Sequence, residues 1–221
     1  LQLPEGWQIQ TMGKYSTFAF HAWDPQNPDY EIFYYSIIAP LNKSSNSKNE
    51  WGNYLGNMGY ANAKLNYDAP VINEKAAESI FYIFSNLQML SNNHSLGFNF
   101  PVLENFTPLK NIPLQTPFSE VSSNESMVFA GVRGSKGGAC GGLFMSSIVK
   151  TNPYYINSID MMPTSAINVS GIIAPADNFK HVEKELSQSL FSLRFSENYI
   201  REGVAYSKAV GEAAMADNAA R

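Results

Sequence analysis

Runs of apolar positions broken by short polar stretches mark the first elements of this chain. Thr17 to Trp23 and Tyr30 to Ile38 are rich in β-branched and aromatic residues and read as strands. Asp24-Pro25-Gln26-Asn27-Pro28 lies between them. It is a reversal signal, because two prolines fix φ while Asp and Asn side chains bond the neighbouring backbone. Both faces of the second strand are apolar, Ile32, Tyr34 and Ile38 on one and Phe33, Tyr35 and Ile37 on the other. Such a strand is central and covered on both sides. A shorter strand around Trp7 to Met12 precedes the pair.

Helical periodicity takes over next. Asn42 to Asn49 reads as a polar linker, and Trp51, Leu55 and Met58 then share a face of a short helix weakened by Gly52 and Gly56. Ala76, Ile80, Ile83, Phe84 and Leu87 form a stripe that predicts a helix over Asn73 to Leu90, capped by Asn73 or Asp68. Prolines at 101, 108, 113 and 117 exclude a long helix or a central strand from 98–117. This segment reads as an irregular, extended crossover laid over the surface.

Met127 to Arg133 and Leu143 to Val149 read as paired strands around a Gly-rich connection, and Asn168 to Ala174 as another. Asp177 is placed to cap a helix with Phe179, Val182, Leu186 and Leu190 on one stripe. A final helix follows over 197–217; its stripe turns to small residues after Tyr206, which predicts a connector to further chain. Strands and helices come in blocks, not in βαβ alternation, and no internal repeat is present. The expectation is a single α+β domain over 1–221, a mainly antiparallel β-sheet with helices packed on it.

Composition narrows the function classes. Hydrophobic residues make up 44% of the 221, which supports a packed core. Charged residues make up only 15%, against roughly 25% in an average domain, and Asn, Ser, Thr, Gln and Tyr supply the polarity instead. The net charge is -4, and Lys43, Lys48, Lys75, Lys136 and Lys150 are scattered, so no basic surface exists for nucleic acid or an anionic membrane. No apolar run approaches the ~18 residues of a transmembrane segment. The chain opens Leu1-Gln2-Leu3-Pro4 without a signal segment, the expected look of a processed or excised piece. Cys140 stands alone, so no internal disulfide forms.

The sharpest chemical motif is Gly138-Ala139-Cys140-Gly141-Gly142, which matches the Gly-x-Cys-Gly-Gly around the nucleophile of viral chymotrypsin-like cysteine proteases. Glycines there let backbone amides turn inward beside a thiolate. His21 lies upstream in the right chain order, and Asp68 or Glu78 is a candidate orienting acid. Against a cysteine hydrolase stand the helix expected where a barrel strand belongs and the common fate of Cys as a small buried hydrophobe. Gly131 to Gly138 inverts the Gly-Lys-Ser/Thr order of a phosphate loop and precedes a strand, not a helix.

His21, His94 and His181 lack metal-ligand spacing. Asp24, Asn27 and Asp29 have acidic spacing, but Pro25, Pro28 and the lack of a following glycine exclude a calcium loop. No metal or cofactor is expected. Trp51, Tyr54, Tyr60 and Tyr67, interleaved with Asn53, Asn57, Asn62 and Asn66, resemble an aromatic-and-amide sugar-binding surface. Core packing of a short helix explains the same stripe.

Three stretches carry a resemblance. They are Pro4-Glu5-Gly6-Trp7, the turn 24–28 ahead of Phe33-Tyr34-Tyr35, and Ile173-Ala174-Pro175-Ala176-Asp177-Asn178-Phe179 followed by Leu190-Phe191-Ser192-Leu193-Arg194-Phe195-Ser196. With the element order, they resemble an uncharacterised family of exported bacterial proteins and a PsbP-like fold, an antiparallel sheet sandwiched by helices. The resemblance implies an extracytoplasmic module, secreted or lipid-anchored, of a longer parent protein. It implies no activity and no catalytic residues. The expected role is a non-catalytic binding or assembly module. Its partner would be another domain of the parent or a cell-surface component. The alternatives are a cysteine hydrolase on Cys140 and a carbohydrate-binding module on Trp51 to Tyr67.

Overall fold

Seven strands form one antiparallel sheet in a computed structural model that describes residues 1–58 and 61–219. In chain order they are β1 (Gln8–Met12), β2 (Ala19–Trp23), β3 (Glu31–Leu41), β4 (Glu104–Pro113), β5 (Ser122–Arg133), β6 (Ala139–Val149) and β9 (Thr164–Pro175). A separate two-stranded hairpin, β7 (Tyr155–Ile156) with β8 (Ile159–Asp160), interrupts the run before β9. Its tight turn needs left-handed backbone, which Asn157 and Ser158 supply at φ 50° and 64°. Across the large sheet the order is β1-β2-β3-β9-β6-β5-β4. Two three-stranded meanders are thus closed by the last strand, β9, which pairs with β3 on one side and β6 on the other.

The α+β class holds, with a helical layer on each face of the sheet. Ala77–Ile83 and α3 (Phe84–Asn93) bury Ile80, Phe81, Phe84 and Leu87 against Phe33, Tyr35, Val128 and Phe144. On the other face α4 (Phe179–Phe191) buries Phe179, Leu186 and Leu190 against Phe20, Ala22, Ile32 and Ile172. Each fully buried Leu, Ile or Phe contributes about 1.5–3 kcal/mol. β3 carries apolar side chains on both faces because it has a helical layer on each.

Several boundaries differ from the sequence reading. The stripe over 73–90 is right in its buried face, but its first half winds as a 3-10 helix and only Phe84 onward is α. Asn73 accepts from the Lys75 amide in a turn (3.1 Å) and caps no helix. Asp68 instead ends α2 (Ala61–Asp68), bonded to Lys64 and His94. The linker read at Asn42 to Asn49 is mostly helix. α1 runs Ser45–Met58, and its start is fixed by Ser44 and Ser47, each of whose hydroxyls accepts from the other's amide (3.1 and 3.2 Å).

The crossover read over 98–117 contains β4, and its prolines are compatible with pairing because β4 is the sheet edge, bonded on one side only. Asp177 makes no cap. The residue before α4 is Asn178, whose side chain donates instead to Tyr30 Oη (2.7 Å). Ile38 joins the Phe33 face, not that of Ile32. The β3–β9 ladder has no pair at Asn168, whose φ is 53°, and this irregularity breaks the alternation. The final helix is α5 (Glu197–Ala219), packed by Tyr199, Gly203 and Tyr206 on Tyr15.

Candidate functional site

α4 packs on β9, β3 and β6, so the same face of β5 and β4 is left without a helix. Alternation along β5 aims Val128, Ala130 and Val132 into the opposite core and Phe129, Gly131 and Arg133 onto this open face. Gly131 pairs directly with Gly141 of β6. A Cβ at Gly131 would meet nothing within 4 Å, while one at Gly141 would lie 3.1 Å from the Phe179 ring. The space over Gly141 is thus filled by Phe179 and that over Gly131 is open, and a trough about 680 Å³ in volume lies there. Phe129 and Phe179 wall one side, edge to face with ring centroids 5.3 Å apart, and Leu109 of β4 lies 63% exposed along it.

The polar rim is cationic. Arg133 Nε donates to the Gly137 carbonyl at 3.1 Å, which holds the guanidinium at the trough. Lys180 stands opposite, in the first turn of α4. In that turn the His181 and Val182 amides donate to the Asn178 carbonyl (2.9 and 3.4 Å), and the Asn178 side chain makes no cap. Thr107 and Asn105 complete the rim, and no carboxylate lines the trough among the described residues. The geometry suits a flat apolar body carrying one anionic group.

No protein-family model and no curated protein matches this chain.

Cys140 lies beneath this trough, on the other side of the strand. Its side chain is 3% exposed, and each neighbouring glycine admits something else. Gly134 makes room for Sγ itself, Gly141 for Phe179 and Gly142 for Phe144. Burial, then the Asp29 carboxylate, pushes the thiol up to about 11, so it is protonated at neutral pH and a poor nucleophile. His21 is not its partner. β3 and β9 lie between the strands carrying the two residues, which separates those strands by roughly 14 Å at about 4.8 Å per step. His21 Nε2 is instead 2.6 Å from Glu31 Oε2. Asp68 serves Lys64 and His94, and Glu78 accepts from Ser126 (3.3 Å). The structure does not assemble a catalytic triad from these residues.

The remaining motifs have local uses. Asp29 accepts from Ser135 Oγ (3.1 Å) and the Lys136 amide (3.0 Å), tying the turn after β2 to the Gly-rich turn after β5. Asp24 accepts from the Gln26 amide (2.8 Å) within the reversal. His181 is exposed, and no cluster of three metal-ligating side chains exists among the described residues. In the aromatic segment, Trp51 and Tyr54 lie on α1 and Tyr67 on α2, where a Cβ on Gly52 would come within 2.9 Å of the Tyr67 ring. These rings pack helix on helix. Asn53 bonds Glu50, and Asn66 offers its carbonyl to Asn42. Tyr60 lies outside the described residues, as do the side chains of Asn57 and Asn62.

Sequence reasoning missed the trough. Its signal was present as Phe129-x-Gly131-x-Arg133 on alternate positions, but only the sheet order and register show that Phe179 stops at Gly141 and leaves Gly131 uncovered.

Proposed function

We propose that this chain is a non-catalytic binding or assembly module of an exported bacterial protein, and that the trough over Gly131 and Gly141 is its ligand-facing surface. One observation carries the reading: Gly131, paired across the strands with a Gly141 that Phe179 covers, stands open on the sheet face beyond α4, between aromatic walls and two cations. Apolar floors with a few convergent polar groups are the common form of binding sites. The low charged fraction supports export, and the antiparallel sheet between helical layers supports a PsbP-like relationship. A neighbouring domain of the parent protein or a cell-surface component is the natural class of partner. No described helix is long and apolar enough to cross a membrane.

The probe that matches the trough is 1-anilinonaphthalene-8-sulfonate, flat aromatic rings bearing one sulfonate. Its fluorescence should rise saturably with the native protein. Gly131→Leu fills the trough from a position with open space above it and should abolish that rise without lowering the melting temperature. Arg133→Gln should weaken binding several-fold. Undiminished binding by Gly131→Leu would overturn the assignment.

A further inference from the structure

On the opposite face of the sheet a cavity of about 220 Å³ lies between the end of β2–β3 and the segment 100–102. Glu31 lines it, with its side chain 3% exposed. Oε2 is engaged by His21, but Oε1 has no hydrogen-bond partner. Leaving a buried acceptor unpaired is costly, so an unpaired carboxylate oxygen at a cavity marks a place for a donor. The other polar groups do not supply one. Gln10 Oε1 accepts from Asn99 (2.9 Å), and Ser135 Oγ lies against Asp29 Oδ1 (3.1 Å) and the Pro28 carbonyl (3.2 Å).

The walls are built and held. Phe100 stacks on Tyr35 at 4.7 Å and 10°, and its amide donates to Gln88 Oε1 (2.8 Å). The Asn99 carbonyl accepts from Tyr35 Oη. Trp23, 5.3 Å from His21 between ring centroids, closes another side. No lysine or arginine is among the described lining residues, and the Asp29 carboxylate stands just behind Ser135.

We propose that this cavity binds an aliphatic ammonium group, with Glu31 Oε1 accepting from the ammonium and the Trp23 and Phe100 rings packing on its stem. An ammonium offers donors and no acceptor, which matches one free acceptor under net negative charge. Aromatic rings favour a cation beside them. A guanidinium needs more acceptors than the cavity offers, to satisfy a planar fork of five N–H groups. The volume is below that of drug-sized pockets, so the group is one side chain or one small amine.

The test uses n-butylammonium chloride against n-butanol at equal ionic strength, followed by the Trp23 indole and His21 ring resonances of the native protein. Butylammonium should shift both saturably, and butanol should not. Glu31→Gln should weaken binding at least tenfold. Val102→Trp, at a half-exposed rim position, should block it while leaving the His21–Glu31 pair intact and the protein folded. A blocked lysine peptide distinguishes the sources. Saturation below the butylammonium concentration assigns the ammonium to a protein chain, and the reverse order assigns it to a free amine. The site is refuted if no saturable shift occurs, if butanol acts equally, or if Glu31→Gln binds like the native protein.

Discussion

Gly142→Ala and Gly131→Val place a side chain at two glycines of neighbouring strands, and the structure assigns them opposite outcomes. A Cβ on Gly142 would lie 2.4 Å from Cε2 and Cζ of Phe144 and 3.0 Å from the Ile172 carbonyl oxygen. The ring cannot step aside. It is fully buried, with Phe33, Phe81 and Phe106 at centroid distances of 6.2, 5.1 and 5.2 Å. Overpacking of this kind costs roughly 1–3 kcal/mol. At about 2–4 °C per kcal/mol in a chain this long, Gly142→Ala should melt about 2–12 °C below the native protein. Gly131 lies in β5 with nothing within 4 Å of its Cβ position, so Gly131→Val meets no clash. Relief of glycine's backbone entropy and a β-branched side chain should raise stability by about 1 kcal/mol. Calorimetric melting at neutral pH reads both. Equal shifts for the two variants, or a destabilised Gly131→Val, would refute the assignment of one glycine to ring packing and the other to an open trough.

Two further outcomes test the buried ionisable groups. Burial pushes the Glu125 carboxyl up, but donors from Ser119, Thr116 and Ser147 outweigh it and hold the group below its ordinary range. Its stabilising contribution is therefore full above the unfolded-state pKa and lost as pH falls through the lower folded value. Melting temperatures of Glu125→Gln and native protein should differ at pH 7 and converge as acid protonates the carboxyl, and a gap that stays constant or widens with falling pH contradicts this. Cys140, raised from 9.0 to about 11, works in the other direction. The folded state holds its proton more tightly, so the contribution is full below pH 9 and fades between 9 and 11. Iodoacetamide should leave the native thiol unmodified at pH 7 and react on unfolding; rapid native alkylation, or a hydrolytic activity removed by Cys140→Ala, would restore the nucleophile reading.

Much of the scaffold was legible in the sequence because it follows from periodicity. β3 announced itself by apolar residues on both faces, and the stripes around Phe84 and Leu186 named the helical faces that are buried. What failed depended on context. β4 was hidden because Pro108 and Pro113 forbid a central strand but not an edge one, and edge position is a property of the whole sheet. The Asp177 cap failed because Tyr30, distant in sequence, takes the Asn178 side chain and the helix starts one residue later. Cys140 drew attention through its glycines, yet their purpose is to admit Phe179 from one face and Phe144 from the other. The trough and the unpaired Oε1 of Glu31 share this origin. Each is completed by residues that meet only across strands, which no local pattern such as Phe129-x-Gly131-x-Arg133 can show by itself.

Binding of a partner on the open sheet face is read out residue by residue by amide shift mapping with 1-anilinonaphthalene-8-sulfonate. The shifts should concentrate at Phe129 to Arg133, Ala139 to Gly141 and Phe179 to Lys180, and be lost in Gly131→Leu. Shifts confined to the aromatic groove between Tyr15 and Ile200, with the amides of β5 and β6 unmoved, would contradict it.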